Sequence, residues 1–352
     1  MFVLVGCTLT LLGSFLAFNK SRSFWLIMAR KIVLELKYQL LGTREIFFDF
    51  VQSRYNKTDL PKKTGCVAIV TGGTRGIGAS VVKMFLQSDM DVIIACRRIE
   101  AGEKVIEHIR KSGTTTGKAA VYHLDNMSLD SVRKFAEEIK KGYTKVNILV
   151  NNAGIMFTPY EETVDGFEHQ WAVNYLSHFL LTALLMPLLR NAGSSENSAR
   201  IISVSSCAHL LGQLPFSDIN NKAQFISTAA YAQSKLAQVV FTKSLDQLLK
   251  EKNLPIRAFA VHPGIVNTDL FDNSYLNSAR WLRAAFFKTP QQGATSIVYA
   301  AVNKNLEDRG GAYISNCLEA TVSPLVNDKS VQEKLMAVSL EQAQLKNFFQ
   351  YL

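Results

Sequence analysis

From residue 65 onward the chain sets short β-branched runs between longer stretches in which apolar positions recur three and four residues apart. The runs are C-V-A-I-V-T (66–71), V-I-I-A (92–95), A-A-V-Y-H-L (119–124), V-N-I-L-V (146–150), R-I-I-S-V-S (200–205), R-A-F-A-V-H (257–262) and A-Y-I-S (312–315). Seven such runs with helical stretches between them predict an α/β fold with a doubly wound, parallel seven-stranded sheet. There is no internal repeat and no low-complexity tract, so residues 65–352 read as one domain with a C-terminal tail.

The front of the chain has a different pattern. Residues 1–18 carry no charged side chain, and as a helix they would rise about 27 Å against a hydrocarbon thickness of about 30 Å. No Lys or Arg precedes them and no A-x-A site follows, which favours a retained membrane anchor over a cleaved signal. Lys20, Arg22, Arg30 and Lys31 all follow it, so the remainder is expected on the cytosolic side. Residues 23–41 mix large apolar residues with charges, a pattern that fits an interfacial amphipathic helix and a core-packing helix equally. Residues 52–65, ending in P-K-K-T-G, read as a linker, which makes residues 19–64 an amphipathic segment plus linker.

Charge and cysteines narrow the classes. The net charge of +10 is concentrated at the front: residues 1–63 hold ten Lys/Arg and four Asp/Glu. A basic excess beside an apolar start points to a membrane rather than to a nucleic acid, and none is expected as partner. Five scattered cysteines (Cys7, Cys66, Cys96, Cys207, Cys317) form no C-x-x-C pair, so neither a disulfide framework nor a metal site is expected.

The first run ends in T-G-G-T-R-G-I-G (71–78) and leads straight into a helix-like stretch. Gly72, Gly76 and Gly78, with Thr74, Arg75 and Ile77 between them, allow a tight turn that brings helix N-terminal amides to a pyrophosphate, as in Rossmann-type sheets. At the end of the second run an NAD site places a carboxylate, whereas this chain has Cys96 followed by Arg97 and Arg98. With Arg75 these suit a ribose 2′-phosphate, so NADP(H) is expected in preference to NAD(H).

In Y-A-Q-S-K (231–235) a phenol and an ammonium stand one helical turn apart. A nearby ammonium favours the phenolate, which would bring Tyr231 toward a useful acid/base range. R-I-I-S-V-S-S (200–206) ends a strand at its carboxyl edge, where such sheets bind ligands, and supplies a hydroxyl.

In conjunction, T-G-G-T-R-G-I-G, N-N-A-G (151–154), Asn174 in A-V-N-Y-L-S-H-F, V-S-S, Y-A-Q-S-K and H-P-G-I-V-N-T-D-L resemble the short-chain dehydrogenase/reductase family across residues 65–315. The resemblance implies Tyr231 as acid/base, Ser206 as the hydroxyl that orients the substrate oxygen, Lys235 as the group that tunes Tyr231 and holds the nicotinamide ribose, and Asn174 in a water relay to Lys235. It also assigns Asp125 and Asn126 to the adenine edge and Asn152, Ala153 and Gly154 to the adenosine ribose. Pro263, Gly264, Val266 and Thr268 would border the nicotinamide. The long segment between Ser206 and Tyr231, the A-C-R turn and the N-terminal anchor resemble the retinol-dehydrogenase-like membrane branch. That likeness implies lipophilic alcohols and aldehydes, isoprenoids of the polyprenol/dolichol type first, with retinoids and hydroxysteroids as alternatives, at the endoplasmic reticulum or lipid droplets. Leu270, Phe271, Tyr275, Leu276, Trp281, Leu282, Phe286 and Phe287 after Thr268 form a bulky apolar stretch in keeping with such substrates. Since the helix of Tyr231 packs across subunits in many soluble relatives, a homodimer stays open. A cofactor-bound membrane scaffold without turnover is the alternative of another class.

Overall fold

In the computed structural model, which describes residues 22–271 and 280–352, V-A-I-V-T becomes a strand (β1, Val67–Thr71) buried at every position. Six further parallel strands follow: β2 (Asp91–Cys96), β3 (Lys118–His123), β4 (Ile148–Asn151), β5 (Ala199–Val204), β6 (Ile256–His262) and β7 (Tyr313–Ser315). Their order is β3-β2-β1-β4-β5-β6-β7, so the winding reverses between β1 and β4, where such sheets open a ligand crevice. An eighth strand, β8 (Leu318–Glu319), runs antiparallel to β7 at the edge and was not foreseen. Two residues after a turn with Asn316 and Cys317 in the left-handed region leave no alternation to read.

Helices cover both faces. On one side α2 (Gly76–Gln87), α3 (Ile99–Lys111) and α8 (Pro290–Val302) bury Val82, Phe85, Ile109 and Ile297 against β1, β2 and their neighbours. On the other, α4 (Leu129–Gly142), α5 (His169–Ala192), α6 (Ser227–Glu251) and α9 (Lys329–Gln342) bury Phe135, Phe179, Val240 and Leu335. Helix α5 is long and apolar enough to cross a bilayer, yet its side chains are packed inside the domain. It carries one π-turn, Ala172–Leu176, with Asn174 at its centre. Such bulges recur at functional sites because they rotate one side chain out of helical register.

The amphipathic segment is a single helix, α1 (Arg22–Val51), which runs ten residues past the end of the 23–41 stretch read from the sequence. Nothing in T-R-E-I-F-F-D-F-V breaks a helix, and Leu41, Glu45 and Asp49, spaced by four, lie buried against the domain. The outer face keeps Leu26, Val33, Leu36, Leu40, Phe47 and Phe50 exposed. One helix thus has the docked stripe of a core helix and the bare apolar stripe of an interfacial one. A short 3₁₀ turn, Ser53–Tyr55, then leads into the irregular stretch before β1. The expected anchor at 1–18 lies outside the described residues, as do Tyr275, Leu276 and the side chain of Leu282.

Candidate active site

The glycine turn closes the gap between β1 and α2. Gly72 and Gly76 have φ of 66° and 53°, a region that side chains with a Cβ rarely enter. A Cβ on Gly78 would fall 2.3 Å from the Gly72 carbonyl oxygen and 2.6 Å from Asn152 Nδ2, so the helix begins hard against the turn. Asn152 pins that turn by donating from Nδ2 to Thr71 O at 2.8 Å and Gly72 O at 3.3 Å. Thr74 and Ile77 are half-buried and Arg75 is exposed, its guanidinium 3.2 Å from the exposed Asp269 carboxylate. Arg97 and Arg98 stand exposed past the carboxyl end of β2. A left-handed glycine turn, helix amides at its end and arginines around it form a donor set that fits a dinucleotide carrying an extra phosphate.

Past β3, Asp125 is half-buried and its carboxylate accepts from the Met127 amide at 3.0 Å. Asn126 turns inward instead: its Nδ2 lies 3.0 Å from both Ser177 Oγ and His178 Nε2. Ala153 and Gly154 follow Asn152 just past the carboxyl end of β4. A Cβ on Gly154 would sit 3.3 Å from Asn174 Oδ1 and 3.8 Å from Lys235 Nζ, which brings the N-N-A-G turn, the π-turn and α6 together. Asn174 accepts from Ile155 N at 2.8 Å and donates to Ile155 O at 3.0 Å and Ser234 Oγ at 2.9 Å. Its amide is committed to fixing that turn rather than aimed at Lys235.

Ser206 follows β5 and Tyr231 stands in the first turns of α6, with the Ser206 side chain close enough to favour the ionised phenol. Ser205 is buried and donates to the Lys235 carbonyl at 2.9 Å, which leaves Ser206 as the serine facing the phenol. Lys235 Nζ lies 5.6 Å from the Tyr231 ring centroid and donates to Val204 O at 2.9 Å and Gln238 Oε1 at 3.0 Å. Pro263, Gly264 and Val266 are buried and Thr268 half-buried on the segment leaving β6.

The model of the family described as short chain dehydrogenase matches residues 66–278. The chain belongs to the short-chain dehydrogenase/reductase family. It is 38% identical over 315 residues to polyprenol dehydrogenase of Danio rerio, spanning 88% of this chain and 97% of that protein. Retinol dehydrogenase 12 of Mus musculus is 38% identical over 278 residues, 79% of this chain and 86% of its own. Among solved structures, an uncharacterised protein from Mycobacterium paratuberculosis has a TM-score of 0.66 at 31% identity, covering 82% of this chain and 97% of that one. The Pseudomonas aeruginosa RhlG/NADP active-site complex has a TM-score of 0.57 at 25% identity, over 73% and 96%. Membership makes the chain an oxidoreductase acting on CH–OH groups.

One expectation about this short-chain dehydrogenase needs correction. The lysine was expected to pull the tyrosine down, but burial holds the Tyr231 phenol well above its ordinary value, opposed by the Ser206 side chain. Burial also brings Lys235 down to about 7. The physical reason is that both groups are out of water and the ammonium bonds to Val204 and Gln238, so loss of hydration outweighs their mutual field. Gln238 was missed, although i+3 from Lys235 is where a helical partner sits. His178 was missed as well: its Nδ1 donates to Asn174 O at 3.1 Å, while Nε2 lies 3.0 Å from Thr71 Oγ1. Burial pushes this imidazole down to about 3, so it stays neutral while joining β1, α5 and Asn126.

Helix α1 is part of the site. The Asp49 carboxylate accepts from the Ile265 amide at 2.8 Å and from Asn316 Nδ2 at 3.1 Å, and pairs with Lys288 Nζ at 2.9 Å. Gly264 has φ of 90°, and a Cβ there would come within 2.6 Å of both Asp49 Oδ2 and Lys288 Nζ. The glycine of H-P-G therefore makes room for an ion pair supplied half by α1. Earlier on the helix, Tyr38 donates from its hydroxyl to Thr228 O at 2.7 Å and covers the Tyr231 region with Phe157, Leu270 and Phe271. Of the bulky stretch, Phe271 stacks on Phe287 at 5.3 Å, whereas Trp281 and Phe286 on α7 (Arg280–Phe286) are exposed. A separate cavity of about 280 Å³, with Lys63, Asn147 and Glu307 in its wall, opens at the amino ends of the strands, away from this chemistry.

Proposed function

We propose that this chain is a membrane-associated NADP(H)-dependent oxidoreductase that interconverts a lipophilic primary alcohol and its aldehyde, an isoprenoid of the polyprenol/dolichol type. The observation that carries the reading is the group of half-buried Ser206 and buried Tyr231 and Lys235 at the carboxyl end of β5, under an apolar cover and beside a glycine turn with arginines near it. When bound, NADP(H) supplies or takes the hydride. Tyr231 gives its phenolic proton to the substrate oxygen in reduction and takes it back in oxidation. A phenol held above its ordinary value is fully protonated at neutral pH, so the proton is there to give, and Ser206 orients the oxygen that receives it. Lys235 holds the nicotinamide ribose and carries the proton onward, a role suited to an ammonium brought down to about 7. Gly72, Thr74, Arg75, Gly76, Ile77, Gly78, Arg97 and Arg98 would hold the pyrophosphate and 2′-phosphate. Asp125 takes the adenine edge, with Asn126 behind it, and Asn152, Ala153 and Gly154 the adenosine ribose. Pro263, Gly264, Val266 and Thr268 would line the nicotinamide.

The names of the relatives support the substrate class, and the retinol dehydrogenases at equal identity keep a retinoid as the second reading. The bare apolar face of α1 supports membrane association, at the endoplasmic reticulum or lipid droplets with the domain on the cytosolic side. Digestion of the domain by protease added outside intact microsomes tests that orientation. The deciding experiment is NADPH oxidation by detergent-solubilised full-length protein with polyprenal, retinal and a ketosteroid, with Tyr231→Phe as control. Turnover of polyprenal above the others, lost in the variant, is expected. NADPH binding with no turnover in either direction would replace the enzyme with a cofactor-bound scaffold.

A further inference from the structure

The apolar cover of Tyr231 is built from both ends of the chain's architecture. Tyr231 is only 4% exposed, and the side chains around it are Met156, Phe157, Ala208 and Tyr38 of α1. Three rings stand edge to face in a row: Tyr38 to Phe157 with centroids 5.6 Å apart at 86°, and Phe157 to Tyr231 at 5.5 Å and 79°. The middle ring is held by unusual means. Phe157 has φ of 58°, a region bulky residues avoid, and its amide donates to Gln170 Oε1 at 2.8 Å. Gln170 is fixed in turn through Nε2, 3.2 Å from Ser227 O. Tyr38 is fixed by its hydroxyl on Thr228 O, three residues before the phenol it shields. Strained backbone with dedicated hydrogen bonds at a site marks a position where the ring itself is used.

We infer that Tyr38 is a specificity-determining residue, which with Phe157 walls the seat beside Tyr231 so that a primary alcohol or aldehyde fits and a ketone does not. The inference rests on the oxidoreductase reading above. An aldehyde carbon carries hydrogen on one side, whereas a ketone carries a second carbon that must occupy the space the rings fill. The rings also offer flat faces and edges to the unsaturated carbons next to an allylic oxygen. A single methylene in an apolar pocket shifts discrimination by about tenfold or more, which sets the expected effect.

The test compares a polyunsaturated isoprenoid aldehyde with its methyl ketone homologue, using NADPH and the full-length protein in detergent. NADPH binding by fluorescence verifies the fold of each variant. Tyr38→Ala is expected to raise the ketone-to-aldehyde ratio of kcat/KM by about tenfold or more, chiefly through KM, while Tyr38→Phe, which keeps the ring, retains the wild-type ratio. Tyr38→Leu gives the same reading if the alanine variant does not fold. Aldehyde turnover with an unchanged ratio in the Ala or Leu variant overturns the inference and leaves the enzyme reading standing. No turnover of either compound by the wild type overturns both.

Discussion

Replacing Asp49 by Ala tests whether α1 is bound into the domain or merely leads to it. The change removes a carboxylate with three partners and leaves the Lys288 ammonium, 8% exposed, with only Asn316 Oδ1 at 2.6 Å and Pro263 O at 3.4 Å. Breaking a buried pair by deleting one partner costs about 3–5 kcal/mol, because the remaining charge stays out of water. At about 2.1 cal/mol/K of unfolding entropy per residue, a domain of this size loses somewhat under 2 °C of melting temperature per kcal/mol, so a fall of roughly 5–8 °C is expected. Removing both charges, in Asp49→Ala with Lys288→Met, should recover most of that loss, since a buried pair adds little over apolar side chains. The assay is thermal unfolding of the detergent-solubilised protein followed by tryptophan fluorescence, with NADPH affinity alongside. Affinity should weaken in Asp49→Ala because the Ile265 amide loses its acceptor on the segment assigned to the nicotinamide. A single variant that melts within about 3 °C of wild type, or a double variant no better than the single, would refute this account of the buried pair.

Tyr231→Phe should lower kcat by about 10²–10⁴-fold with NADPH binding intact, as expected for loss of a general acid; a residual rate above a tenth of wild type would argue against it. Gly78→Ala should weaken NADPH binding by about tenfold or more, because the new methyl meets the Gly72 carbonyl and overpacking costs about 1–3 kcal/mol. Binding within twofold of wild type would place the phosphates elsewhere. Arg97→Asp with Arg98→Ala should move preference from NADPH toward NADH, read as the ratio of kcat/KM, and an unchanged ratio would remove those arginines from the 2′-phosphate site. Acid should destabilise the fold: burial lowers His178 to about 3 and His209 and His262 to about 4, so between those values and about 6.5 the unfolded chain binds more protons. Stability is then full above about 6.5 and falls with pH below it, by about 1.4 kcal/mol per histidine at pH 5.5, offset in part by Glu45, which burial moves upward. A melting temperature flat from pH 7.5 to 5.5 would sink the argument.

What the sequence disclosed follows from how locally each feature is encoded. Six of the seven parallel strands were legible because they are largely buried on both faces and so read as apolar runs, while the half-exposed edge strand β3 was still marked by A-A-V-Y-H-L, and the glycine turn and Y-A-Q-S-K are complete within a few residues. Tyr38 and Asp49 were not legible. Each meets its partner roughly 190 to 270 residues away, and the helix that carries them shows a stripe that membrane and protein interior would fill alike. Separations of 107 and 52 residues likewise hid His178, whose bonds reach Thr71 on β1 and Asn126 after β3. The misreading of Lys235 came from treating its field without its surroundings, since spacing along a helix says nothing about how much water both groups lose.

The two faces of α1 bear on how such an enzyme is handled at the bench. Its exposed Leu26, Leu36, Leu40, Phe47 and Phe50 invite deletion of the first fifty residues to gain solubility. That deletion would also take away Tyr38 and Asp49, and with them the wall over Tyr231 and the partner of Lys288. A shortened protein that stays in solution would therefore be a different catalyst, and kinetics measured on it would describe an active site with one side missing.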